Sequence, residues 1–97
     1  MNFECNSFIY KKHALERMLS RNISFDEVEK VILIAEIIKE YPEDKPFESK
    51  LLLGFIDSKA LHIVVSRDGE GNCIIITVYE PDIDIWNYDL KTKKTKI

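Results

Sequence analysis

The chain predicts an α+β domain, with two N-terminal helices packed on one face of a four-stranded, mainly antiparallel sheet. Three observations carry this expectation. A helix-period apolar pattern runs through the first third of the sequence, a capping box punctuates it, and after Glu36 the apolar period changes to two.

The first helix is expected from near Lys11 to about Arg21-Asn22, with Ala14, Leu15, Met18 and Leu19 as its apolar stripe. The run Ser24-Phe-Asp-Glu27 then reads as a capping box, with Ser24 at the N-cap and Glu27 at N3. Ile23 and Val28 stand where a hydrophobic staple would, and Asp26 and Glu27 suit the positive end of the helix dipole. Val28, Val31, Ile32 and Ala35 give the second helix a buried stripe that ends near Ala35. Ile37 to Tyr41 reads as the first strand and Pro42 to Pro46 as a polar loop. Leu51 to Ile56 and Leu61 to Ser66 are the central strands, joined by the tight turn Asp57-Ser58-Lys59. Cys73 to Glu80 is the fourth, entered through Asp68-Gly-Glu-Gly71. Connections this short and polar make the last three strands an antiparallel meander. Ile83 to Leu90, with Trp86, is expected to add a helical turn or two on the sheet.

Ninety-seven residues, 45% of them apolar, fit one domain, read as residues 1–90 followed by a basic flexible tail at 91–97. No segment approaches the roughly 20 apolar residues that span a bilayer, and the N-terminus carries no signal-peptide core. Cys5 and Cys73 are far apart and form no Cys-x-x-Cys pair, so they read as separate thiols of a reduced, cytoplasmic protein. The net charge of −3 is uneven. Residues 1–90 hold ten basic against seventeen acidic side chains, a balance of −7, while Lys91, Lys93, Lys94 and Lys96 make the tail +4.

The segment Tyr10 to Arg21 holds the most informative pattern. On a helix His13, Arg17 and Arg21 stand at i, i+4 and i+8, one above another beside the apolar stripe. A proton-transfer group next to two guanidiniums suits the handling of a phosphate. A second histidine, His62, lies inside an apolar strand run. Phosphate-cradling glycine loops, the Gly-x-Ser-x-Gly elbow and the His-Glu-x-x-His zinc motif are all missing, and no spacing nominates a metal or a cofactor. The remaining chemistry is acid–base cleavage of RNA through its own 2′-hydroxyl, which needs a base, an acid and cations on the phosphate. The candidates for proton transfer are His13, His62 and Tyr79; those for phosphate binding are Arg17, Arg21 and Arg67. Each also has a structural reading: a helix-start or strand-carbonyl hydrogen bond for His13, an ion pair for Arg17, a helix-end charge for Arg21, a solvated charge for Arg67, a solvent-facing or satisfied core position for His62, and strand packing for Tyr79.

The opening His13-Ala-Leu-Glu-Arg17-Met, followed by Asn22-Ile-Ser-Phe-Asp-Glu-Val, resembles a family of short bacterial and archaeal proteins known as the domain of unknown function DUF4258. Leu61-His-Ile-Val-Val and Ile76-Thr-Val-Tyr-Glu-Pro81 are similar to its central and last strands, so the likeness runs over about positions 8 to 90. It implies a fold similar to the RelE-like ribonuclease toxins, of the barnase, EndoU, colicin and RelE grouping. It also implies His13 and Arg17 as leading site residues, followed by His62 and Tyr79, and an antitoxin protein as partner beside RNA. The chain departs from that pattern in its acidic body and in Ala35, where a glycine would be expected. The function expected is a metal-independent endoribonuclease, the toxin of a toxin–antitoxin pair. The alternative is a non-catalytic protein-binding module that docks through an edge strand or the Ile83 to Leu90 segment, anchored by Trp86 and Tyr88.

Overall fold

Ser24 and Glu27 close the predicted capping box. The Ser24 hydroxyl accepts from the Glu27 backbone N–H, and the Glu27 carboxylate accepts from the Ser24 N–H. The structure, a computed structural model, describes residues 4–94. Its elements are β1 (Phe8–Tyr10), α1 (Lys12–Arg21), α2 (Phe25–Ile34), β2 (Glu36–Tyr41), β3 (Ser49–Ile56), β4 (Lys59–Arg67) and β5 (Cys73–Tyr79). Asn22, at φ 56, ends α1 in the left-handed region that asparagine tolerates, and the Ile23 N–H closes the turn on the Met18 carbonyl. Ala35, at φ −70 and ψ 156, passes α2 directly into β2. A helix that ends on extended backbone needs no glycine there.

The α+β class and the meander of the last three strands, β3 to β5, agree with the sequence, but the sheet has five strands rather than four and is mixed. Its order is β1-β5-β4-β3-β2. β1 pairs parallel to β5, with Phe8 opposite Cys73, and all other pairings are antiparallel. Three residues ahead of a helix carry no readable alternation, and their partner lies more than sixty residues away. The cysteines need correction too: Cys5 and Cys73 form a disulfide. The β1–β5 pairing brings together two residues 68 positions apart, so the cysteines no longer argue for a reduced compartment. Among the described residues no helix is long and apolar enough to cross a membrane.

Helix α1 packs on β5, and α2 packs on β3 and β4. Ala14, Met18, Val28, Val31 and Ile32 meet Leu52, Leu61, Ile63, Val65, Ile75 and Val78 in one core. The α2 stripe is buried as expected, whereas that of α1 is narrower: Leu15 is half-buried and Leu19 is 85% exposed. Strand alternation turns Leu51, Leu53, His62 and Tyr79 to the other face of the sheet. That face is covered in part by residues 82–94, the strap. Where a helical turn or two is expected from Ile83 to Leu90, the strap makes a single turn, with the Ile85 and Trp86 N–H groups both bonded to the Asp82 carbonyl, and continues in further turns. Of the tail expected at 91–97, Lys91 to Lys94 belong to the strap, and residues 95–97 lie outside the described residues.

Gly54 lets α2 lie against β3. A Cβ built there would stand 2.5 Å from Val31 Cγ1 and 3.3 Å from Ala35 Cβ. Gly54→Ala is therefore expected to destabilise the fold by about 1–3 kcal/mol through overpacking. Thermal unfolding of the variant checks this, and an unchanged midpoint would refute the close contact.

Candidate functional site

The strand register decides which candidates meet. His62 stands opposite Tyr79 across β4 and β5, and its Nδ1 lies 3.2 Å from the Tyr79 hydroxyl. Its Nε2 lies 2.7 Å from the carbonyl oxygen of Leu90. A carbonyl only accepts, so Nε2 carries the proton and donates; in the neutral ring Nδ1 is then left to accept the Tyr79 O–H. Edge-on contacts with Tyr79 and with Trp86, whose ring centre is 4.4 Å away, complete the enclosure. His62 is 0% exposed and Trp86 7%. Burial pushes the His62 imidazole below its ordinary value, opposed in part by the bond to Leu90, so the ring is neutral at pH 7. Burial also raises the Tyr79 phenol, with Tyr41 nearby adding to it, and keeps it protonated.

Beside this pair runs a groove of about 390 Å³ between the sheet and the strap. Lys39, Tyr41, Leu51 and Tyr79 line it from the strands, and Trp86, Lys91, Thr92 and Lys93 from the strap. The Lys39 ammonium sits 5.4 Å from the centre of the Tyr41 ring, and that of Lys93 5.7 Å from the Trp86 ring. Lys91 bonds Glu36 at 2.9 Å. Ammonium groups beside aromatic faces suit a ligand that carries both phosphate and a flat ring.

The other candidates lie elsewhere. His13, Arg17 and Arg21 are exposed along α1, whose buried residues face the opposite side of the sheet from His62. Among the described residues no hydrogen bond or ion pair joins them to His62 or Tyr79. Arg67 ends β4 opposite Cys73, five residues or about 16 Å along the strand from His62. Of the six candidates the fold joins His62 to Tyr79 and leaves His13 and the three arginines apart from them. Sequence reasoning passed over Lys39, Tyr41, Lys91 and Lys93. Lys39 and Tyr41 show the period-two signal of one strand face, but the register that brings them into the groove beside Leu51 and Tyr79 is not readable locally. Among the described residues no three His, Cys, Asp or Glu side chains cluster as metal ligands.

The family described as a domain of unknown function (DUF4258) matches residues 10–80. The chain belongs to this family. The DUF4258 match takes in His13, Arg17, His62 and Tyr79, and it ends before the strap that supplies Trp86, Leu90, Lys91 and Lys93. No curated protein matches the chain. No solved structure matches it either.

A neutral buried histidine makes stability depend on pH. The unfolded chain takes up a proton at His62 near pH 6.5, which the folded protein accepts only at lower pH. The contribution is therefore complete above about pH 6.5 and is lost as pH falls below it. Urea unfolding at pH 7 and pH 5 is expected to show this loss, and His62→Gln to abolish the His62 part of it. An unchanged pH dependence in the variant would contradict the assignment.

Proposed function

We propose that this DUF4258 protein is an endoribonuclease that needs no metal and cleaves single-stranded RNA in the groove between sheet and strap. The observation that carries this reading is the His62–Tyr79 hydrogen bond at the wall of a groove lined by lysines and aromatic rings. A base stacks on Tyr41 against the groove wall that Trp86 provides, while Lys39, Lys91 and Lys93 neutralise phosphate charge. The Tyr79 oxygen takes the 2′-hydroxyl proton as its own proton passes to Nδ1 of His62. The 2′-oxygen attacks phosphorus, the bond to the 5′-oxygen breaks, and the proton returns through Tyr79 to that leaving oxygen. The charge that appears briefly on His62 is held by the Leu90 carbonyl.

The family likeness adds the toxin role, a RelE-like arrangement of the fold and an antitoxin that covers the site. These belong to the same proposal, and their support is the likeness and the five-stranded sheet with helices on one face. The acidic body is consistent with binding confined to a groove whose own charges are basic. A second reading, a protein-docking module, is favoured by Ile83, Ile85 and Tyr88, all exposed on the strap.

Purified protein incubated with single-stranded RNA in the presence of EDTA tests the first reading. Wild type is expected to cleave, and Tyr79→Phe to cleave on the order of 10²–10⁴-fold more slowly with its fold unchanged. Loss in His13→Ala with full activity in Tyr79→Phe would move the site to the exposed face of α1. No cleavage by wild type would favour docking.

A further inference from the structure

The strap is attached to the sheet differently from every other segment. From Asp82 to Lys94 only Trp86 is buried and Leu90 half-buried; Ile83, Ile85, Asn87, Tyr88 and Asp89 are all exposed. Its backbone bonds are mostly its own: Asn87 N–H to the Thr92 carbonyl, Leu90 N–H to Asn87, and Lys94 N–H to Ile85. The Asp89 carboxylate accepts from the Lys91 and Thr92 N–H groups, which shapes the turn without binding it to the sheet. Leu90 is held at φ 61, a left-handed conformation that a branched side chain adopts at some cost. Among the described residues, one ring contact, one hydrogen bond and one ion pair tie this self-contained unit to the strands: the Trp86 ring on His62, the bond from His62 to the Leu90 carbonyl, and the Lys91–Glu36 pair. The ion pair is solvent-exposed on both sides, so it holds weakly.

We propose that residues 82–94 form a lid over the His62–Tyr79 pair, latched by Lys91 and Glu36, which opens locally while the five-stranded sheet stays folded. A unit with its own hydrogen bonds, one aromatic plug and one weak latch opens at far lower free energy than a sheet with a core on one face and the lid on the other. Closed, it fixes the His62 tautomer and walls the groove. Open, it bares both. Lys91 lines the groove and holds the latch at once. The value of the lid to catalysis rests on the ribonuclease reading; its existence does not.

The chain carries its own reference, since its two histidines are exposed His13 and enclosed His62. Carbethoxylation of the full chain with diethyl pyrocarbonate, followed by mass spectrometry, reads both rates without any RNA. His62 is expected to react more slowly than His13, at a rate that sub-denaturing urea leaves nearly unchanged. Glu36→Gln, which removes only the latch, is expected to raise the His62 rate about two- to fivefold and leave His13 unaffected. Hydrogen exchange on the wild type gives a second reading: the amides of Trp86 and Lys94 should exchange well before those of β4. A His62 rate that rises with urea in step with exchange of the β4 amides would overturn the lid, as would an unchanged rate in Glu36→Gln. Carbethoxylation that behaves as expected beside an absence of RNA cleavage would retain the lid and reject the ribonuclease.

Discussion

An imidazole enclosed in an apolar setting is tolerated only when its two nitrogens are both engaged, because each unpaired polar atom there would carry its full desolvation cost. His62 meets that demand from two directions. Tyr79 on the neighbouring strand satisfies Nδ1, and the Leu90 carbonyl, brought by the strap, satisfies Nε2. The far face of the sheet depends on this arrangement. Without the strap His62 would keep one partner and lose the other, and without His62 the strap would lose both that bond and the ring on which Trp86 packs, keeping one exposed ion pair. Tautomer, neutrality and the direction of the Tyr79 O–H all follow from the same two bonds.

The helix face depends on a different device. There Gly54 lets α2 approach β3 closely, and Val31, Ile32, Leu52 and Ile63 fill the space with apolar side chains alone. One sheet thus separates a dry face from one built around a polar pair. The second holds the His62–Tyr79 pair that the proposed reaction uses. The charge distribution agrees, since the lysines of the groove gather on β2 and the strap although residues 1–90 are acidic in sum.

Much of this fold is legible in the residues. The capping box at Ser24 and Glu27, the α2 stripe and the β3 to β5 meander are local signals, set by propensity, period and turn chemistry. β1 is not legible, because three residues leave no period and their partner is on the last strand. The Cys5–Cys73 disulfide follows from that same long-range pairing and was hidden with it. Half of the candidate site suffered likewise. His62 and Tyr79 were nominated separately by residue type, but only the register places them opposite each other. Lys91 and Lys93 read as a solvated tail, because nothing in a lysine run reveals that Trp86 anchors it to the sheet. The α1 row is one helix face, as its spacing says; what spacing cannot give is the side of the sheet that α1 occupies.

The state of one ring tests the account most directly. Nitrogen NMR of the uniformly ¹⁵N-labelled chain at pH 7 distinguishes the two neutral tautomers of histidine from the imidazolium. A neutral His62 protonated at Nε2, with an acceptor shift at Nδ1 that changes when Tyr79 is replaced by Phe, is the predicted result. A His62 protonated at Nδ1, or charged at pH 7, would contradict the enclosure, the direction of the Tyr79 hydrogen bond and the proton relay built on them.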